Sequence, residues 1–256
     1  MVVAEWLWAS PPDEVLRGVA RDLEGGGLPL EHRPLKDGKT RQVWSAPSTA
    51  GGLLIKRFVV HGWEARRSPV WPSRARREYR IMEELCRLGV PTVRPLACGE
   101  RRESSQVVEA WFLGRLLPEA RTLLECLEEA SARADTAARD ALLDAALDTV
   151  AAMHRHPFLH RDLHAGNLLV DGDGRARVID LHSVWRLPRM TLARRAEMLG
   201  RLLFSLRGVV HLERDVPALV TGYAARMNEP VDVALPAIRA ATDAFERDYV
   251  RGRTAR

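Results

Sequence analysis

Residues 160–184, HRDLHAGNLLVDGDGRARVIDLHSV, set carboxylates, an amide and imidazoles between apolar runs that read as buried strands. A carboxylate beside a core is costly unless a cation or a set of donors offsets it. Asp162 is followed five residues later by Asn167, and Asp180 stands thirteen residues beyond that, at the end of RARVID. That spacing suits one chemistry. Asp162 can accept the proton of an attacking hydroxyl, while Asn167 and Asp180 turn oxygens to a Mg²⁺ that bridges nucleotide phosphates. NLLVD and RARVID read as a hairpin through the DGDG turn, which brings Asn167 and Asp180 together.

His160, Arg161, Asp162, Leu163 and then Asn167 complete the H-R-D-L-x-x-x-N pattern of a kinase catalytic loop. Phosphoryl transfer also needs a cation on the nucleotide phosphates. Lys56 lies in the apolar run LLIKRF; taken alone, such a lysine is an exposed edge residue. On the next predicted helix, however, Glu78 shares a stripe with Ile81, Met82 and Leu85, whereas Glu83 and Glu84 point elsewhere. An acid on an apolar stripe needs a partner, and Lys56 supplies one. A phosphate-covering loop is less clearly marked. KDGKTRQVW holds one glycine, Gly38, whose neighbouring amides suit phosphate with Lys39 or Arg41 adding charge; an ordinary hairpin turn reads equally well. Two other patterns lead nowhere. His160 and His164 are four apart, as in helical zinc sites, but Pro157 and Gly166 bracket them and no HExxH glutamate is present. DGDG resembles part of a calcium loop, yet strands flank it and the closing glutamate is missing.

The elements that must position these groups are legible in outline. SPPDEVLRGVARDLEGGG predicts a helix capped by Ser10 and ended by Gly25 to Gly27. Strands are predicted near Leu30–Leu35, at RQVWSA and at LLIKRF. An amphipathic helix from Arg74 to Leu88 follows, stopped by Gly89 and Pro91, and then strands at VRPLACG and SQVVEAWF. Residues 121–156 are Ala/Leu-rich and read as helix up to Pro157. After Pro188 come helices at LARRAEMLGRLLFSLRG, Val216–Met227 and Leu235–Arg251. The fold class is α+β and bilobal: an N-terminal helical extension over 1–27, a small antiparallel-sheet N-lobe with one helix over 28–115, and a mainly helical C-lobe over 116–256.

With 256 residues, 46% apolar and 29% charged, the chain suits one large domain or two lobes. Cys86, Cys98 and Cys126 form no CxxC pair, and an odd count suits no disulfide framework, so a reducing, cytoplasmic compartment is expected. MVVAEWLWASPPDE lacks a basic start and Glu5 interrupts it, so no signal peptide is expected. No run approaches the ~20 apolar residues of a membrane span. The net charge of +5 favours anionic partners. It is concentrated in HGWEARRSPVWPSRARREYR, residues 61–80, where Trp63 and Trp71 stand among arginines. This is either a solvated helix face or a basic, aromatic surface for a phosphorylated or membrane-bound substrate. No nucleic-acid module accompanies it, so nucleic acid is not an expected partner.

Longer motifs carry a family resemblance. VIDLHSVWR, residues 178–186, resembles the IDLHR-type motif that replaces DFG in the bacterial lipopolysaccharide core kinases, the heptose and Kdo kinases of protein-kinase-like fold. RRAEMLGRLLFS, residues 194–205, is similar to the helix that follows it there, and EYRIMEELCRLGVPTVRPLACGE, residues 78–100, to that family's helix, loop and strand. The match spans roughly residues 30–225 and is most like the heptose kinase branch. The resemblance implies ATP- and Mg²⁺-dependent transfer to a sugar hydroxyl of the inner core, at the cytoplasmic face of the inner membrane. It gives segment 61–77 a partner in lipid A phosphates or the membrane. Asp162 would then be the base, Asn167 and Asp180 the metal ligands, and Lys56, positioned by Glu78, the α/β-phosphate ligand. After Asp180 the chain passes SVWRLP straight into helix, with no APE motif and no long activation loop, so a small or lipid-linked acceptor fits better than a peptide. Two alternatives stay open: an aminoglycoside-type or RIO-like kinase, and a pseudokinase that binds nucleotide without turnover.

Overall fold

The computed structural model describes residues 2–29, 31–48 and 51–254; Leu30, where the first sheet strand was expected to start, lies outside them. The chain divides into two compact units, one of Met1–Arg87 with Val93–Pro118, the other of Leu88–Thr92 with Glu119–Arg256. Among the described residues, no helix is long and apolar enough to cross a membrane.

The first unit is built on an antiparallel six-stranded sheet. Its strands are β1 (Val2–Trp8), β2 (Arg33–Lys36), β3 (Arg41–Ala46), β4 (Leu53–Val59), β5 (Pro95–Glu103) and β6 (Gln106–Arg115), in the order β1-β5-β6-β4-β3-β2. Helices α1 (Glu14–Glu24), α2 (Gly62–Arg67) and α3 (Arg74–Arg87) complete the unit. β4 is central, and its Lys56 pairs in register with Val43 of β3 and Phe112 of β6.

The stretch 1–27 corrects the expectation of a purely helical extension. Val2–Trp8 joins the sheet edge, pairing with β5 from Val2 opposite Glu103 to Trp8 opposite Ala97. Trp6 and Trp8 share one strand face; Trp6 stacks on Trp111 at 5.7 Å and on Trp8 at 5.4 Å. Gly99 makes room for this, because a Cβ there would lie 2.8 Å from the Trp6 ring. The cap of α1 is Asp13, whose Oδ1 accepts the Leu16 N–H at 2.8 Å, rather than Ser10. The helix begins only at Glu14, after the two prolines, so Asp13 and not Ser10 stands at the cap position. α1 lays Val19 and Leu23 into a core of Trp44, Leu53, Ile55, Trp111 and Leu113.

The second unit is mainly helical. After the short strand β7 (Arg121–Thr122) come α4 (Leu123–Ala132) and α5 (Thr136–Arg155), where one helix was expected. The break is made by Ala134 at φ 54° and by Asp135, which caps α5 by accepting the Ala138 N–H at 2.9 Å. High alanine propensity masked that cap. The strands β8 (Phe158–His160), β9 (Leu168–Val170), β10 (Ala176–Val178) and β11 (Val184–Arg186) follow, then α6 (Leu192–Ser205), α7 (Leu212–Met227) and α8 (Val231–Thr254). Both α7 and α8 begin earlier than expected and carry Pro217 and Pro236 within them. The segment Leu88–Thr92 joins this unit through Thr92, whose Oγ1 donates to the Val178 carbonyl at 2.7 Å, and through the Val178 N–H, which donates to the Pro91 carbonyl.

Candidate active site

In the first unit, Lys56 Nζ lies 2.5 Å from Glu78 Oε1. Both groups are out of water: Glu78 is 0% exposed and Lys56 6%. α3 buries Ala75, Glu78, Tyr79, Met82 and Leu85, which is the stripe the sequence marked, with Ile81 at its half-buried margin. The Lys56 ammonium also lies 5.6 Å from the centre of the Phe112 ring. Among the described residues, the buried Glu78 Oε2 has no hydrogen-bond donor. Glu78 thus satisfies one donor of Lys56 and leaves the ammonium's remaining donors for another acceptor. Gly38 lies in the β2–β3 turn, where a Cβ would come 2.9 Å from the Arg41 carbonyl. The Gln42 amide reaches across that turn to Asp37 at 3.0 Å. A side chain at position 38 would therefore clash with the turn's own backbone.

In the second unit the loop between β8 and β9 is tied down at every step. His160 is fully buried; its Nε2–H donates to the Ile179 carbonyl at 3.1 Å and its Nδ1 accepts the Asp162 N–H at 3.2 Å. A carbonyl cannot donate, so this partner fixes the tautomer. The Asn167 side-chain NH₂ donates to the Asp162 carbonyl at 2.8 Å, which leaves Asn167 Oδ1 uncommitted by that bond, and the Asn167 carbonyl accepts the Ile179 N–H at 2.9 Å. These four bonds bring Asp162, Asn167 and the backbone leading to Asp180 into one unit. The Asp162 carboxylate is left 56% exposed, with His164 Nε2 at 3.7 Å and Arg201 at 3.9 Å. Asp180 adopts the left-handed conformation, φ 61° and ψ 48°, and its Oδ1 accepts from His182 Nδ1 at 2.6 Å. Aspartate is one of the few non-glycine residues that enters this region at little cost.

The two discarded metal patterns have structural duties. His160 lies in β8, and His164 caps a 3₁₀ turn by accepting the Gly166 N–H at 3.1 Å, so the pair shares no helix. Asp171 organises the DGDG turn, accepting from the amides of Asp173 and Arg175 and from Arg177 Nε at 2.7 Å.

Two buried imidazoles give a pH dependence. Burial pushes His154, whose Nδ1 faces the Tyr223 hydroxyl at 2.7 Å, down to about 3, and His160 down to about 4. In the unfolded chain each titrates near about 6.5. Below that pH the unfolded chain takes up protons that the folded chain refuses. Stability is therefore full above about pH 6.5 and falls as pH drops toward the folded values. The protein is expected to be roughly 3 kcal/mol less stable at pH 5 than at pH 7. Equal urea midpoints at the two pH values, with equal slopes, would exclude this.

The lipopolysaccharide kinase (Kdo/WaaP) family matches over residues 64–223, more than half of the chain. The chain belongs to that family. It is an ATP-dependent kinase. The matched span holds Glu78, Asp162, Asn167 and Asp180; Lys56 lies just ahead of it. Among relatives, the 3-deoxy-D-manno-octulosonic acid kinase of Xanthomonas axonopodis pv. citri (strain 306) is 31% identical over 185 residues, 69% of this chain and 71% of that protein. The enzyme of the same name from Stenotrophomonas maltophilia (strain K279a) is 28% identical over 211 residues, 79% of this chain and 80% of that one. The solved structure of WaaP in complex with acyl carrier protein superposes with a TM-score of 0.67, covering 96% of this chain and 98% of that one at 21% identity. The fold is accordingly the α+β, protein-kinase-like one expected.

Three groups of this lipopolysaccharide kinase escaped the sequence. His182 sits two residues past Asp180, close enough that the spacing alone could have suggested it. The spacing of His164 from His160 points only to zinc and hides its place 3.7 Å from Asp162. Arg201 is 39 positions from Asp162, so no local pattern signals that the two lie 3.9 Å apart.

Proposed function

We propose that this kinase transfers the γ-phosphoryl group of Mg²⁺-ATP to a hydroxyl of 3-deoxy-D-manno-octulosonic acid in the lipopolysaccharide core. The observation that supports the reading is the hydrogen-bonded set of His160, Asp162, Asn167 and Ile179, which ties the exposed Asp162, Asn167 and the residue before Asp180 into one loop. The curated relatives, named for the sugar acid, support it over heptose, which the motifs resemble most.

Asp162 accepts the proton of the attacking hydroxyl. Asn167 Oδ1 and the Asp180 carboxylate would hold Mg²⁺; both are hard oxygen donors, the class this ion takes. When bound, the ion neutralises charge on the phosphate oxygens. Lys56, held by Glu78, binds the α/β phosphates, and the amides around Gly38 cover them. The test is transfer from Mg²⁺-ATP to core glycolipids ending in the sugar acid or in heptose, with an aminoglycoside and a protein substrate alongside. Transfer to the sugar acid sustains the reading. Transfer only to a soluble acceptor discards the envelope role, and nucleotide binding without any transfer leaves a pseudokinase.

The acceptor is lipid-linked, so the reading puts the protein at the cytoplasmic face of the inner membrane, where α2 and the turn after it offer a surface. Ala65 and Ser68 face the sheet, with Ser68 Oγ accepting the Val107 N–H at 2.7 Å. Trp63 is 71% exposed and Val70 87%, beside exposed Arg66 and Trp71. Trp and Arg together suit an anionic bilayer interface. Vesicles containing anionic lipid are expected to sediment with the protein. Trp63→Ser with Arg66→Ser should weaken that partition about tenfold. Equal binding to neutral vesicles, or no effect of the pair, would count against the surface.

A further inference from the structure

The second unit holds a cation that the phosphoryl-transfer chemistry leaves unassigned. Arg201 lies on α6 next to Gly200, where α6 comes so near α8 that a Cβ would sit 2.8 Å from the Ala241 carbonyl carbon. That approach sets the Arg201 guanidinium 4.4 Å over the ring of Phe245, one turn further along α8. Its Nη1 is 3.9 Å from Asp162 Oδ1, too far for a hydrogen bond. Among the described residues the guanidinium has no hydrogen-bond acceptor, although the ring holds it in place. A planar fork of donors thus stands ready beside the carboxylate that faces the acceptor hydroxyl.

The geometry points to Arg201 as a carboxylate-binding residue for the acceptor, the group by which the kinase selects an acidic sugar. The inference rests on the proposed function. A hydroxyl giving its proton to Asp162 lies within about 2.6–3.2 Å of it, so the sugar carbons around that hydroxyl come within reach of Arg201. A sugar acid carries a carboxylate on the same molecule, which a guanidinium takes in two parallel hydrogen bonds. A neutral heptose carries none.

The test is a cycle between protein and acceptor. Initial rates are measured for the wild type and Arg201→Gln on a glycoside of 3-deoxy-D-manno-octulosonic acid and on its carboxyl methyl ester. On the free acid, Arg201→Gln is expected to lower kcat/KM by about 10- to 100-fold, the range for a hydrogen bond to a charged group. On the ester, the wild type should fall about as far and the variant should lose little more. Arg201→Lys, which keeps charge but not the fork, should lie between. Activity of the variant on the ester also reports that it is folded. Equal losses on acid and ester would overturn the assignment and make Arg201 part of phosphoryl transfer or of Asp162 positioning. A wild type that is silent on the acid but active on heptose would overturn the proposed substrate, and this assignment with it.

Discussion

Asp162→Asn is expected to lower kcat by about 10²–10⁴, the usual contribution of a positioned base, with KM for ATP close to wild type. The exchange is isosteric, so the backbone bonds that lock the loop, from the Asp162 N–H to His160 and from Asn167 to the Asp162 carbonyl, should persist. The side chain is 56% exposed, so its charge contributes little to folding and the urea midpoint should hardly move. The amide cannot accept the hydroxyl proton as a carboxylate does. The decisive numbers are steady-state rates with the sugar-acid acceptor, read beside the unfolding curve. A rate within about fivefold of wild type would remove Asp162 from the role of base. A lost rate with a collapsed midpoint would assign the residue to the fold instead.

Glu78→Ala acts in the opposite order, on stability first. Removing one partner of a buried ion pair strands the other without water, a cost of about 3–5 kcal/mol. Lys56 is that other partner, with a single carboxylate 2.5 Å away and little exposure. A domain of ordinary stability, about 5–15 kcal/mol, survives such a loss but with a much lower midpoint. The companion variant is Lys56→Met with Glu78→Leu, which replaces the pair by apolar groups of similar size. It should regain most of the stability, since a buried pair is often no better than well-packed apolar side chains, while remaining unable to use ATP. Restored phosphotransfer in the double variant would show that the pair serves only the fold, and an unchanged midpoint in Glu78→Ala would show that Lys56 finds other solvation.

Much of this was written in local pattern. H-R-D-L-x-x-x-N needs no tertiary information, because its partners lie within a few residues and the DGDG turn folds the chain back on itself. Glu78 was legible for a different reason: an acid on an apolar helical stripe is a local contradiction that only a distant cation resolves. What stayed hidden depends on contacts between remote segments. β1 is held by Trp6 against Trp111, more than a hundred positions away. The break between α4 and α5 rests on a left-handed Ala134 and the Asp135 cap, set between two stretches rich in helix formers. Arg201 stacks on Phe245, more than forty positions on in a later helix, and nothing in RRAEMLGRLLFS announces that helix or the nearness of Asp162.

The left-handed backbone at Asp180 has a consequence for how this chain can change over generations. Two filters act on that one position. The backbone admits glycine, asparagine and aspartate readily and penalises nearly everything else. The proposed charge requirement admits only an acid. Glycine passes the first filter and fails the second; glutamate does the reverse. Aspartate alone passes both, so no amino-acid exchange at this position leaves the proposed activity untouched. The most accessible escape is asparagine, which keeps the shape and drops the charge. A lineage that took it would retain a folded protein with a silenced centre, free to be recruited for binding alone.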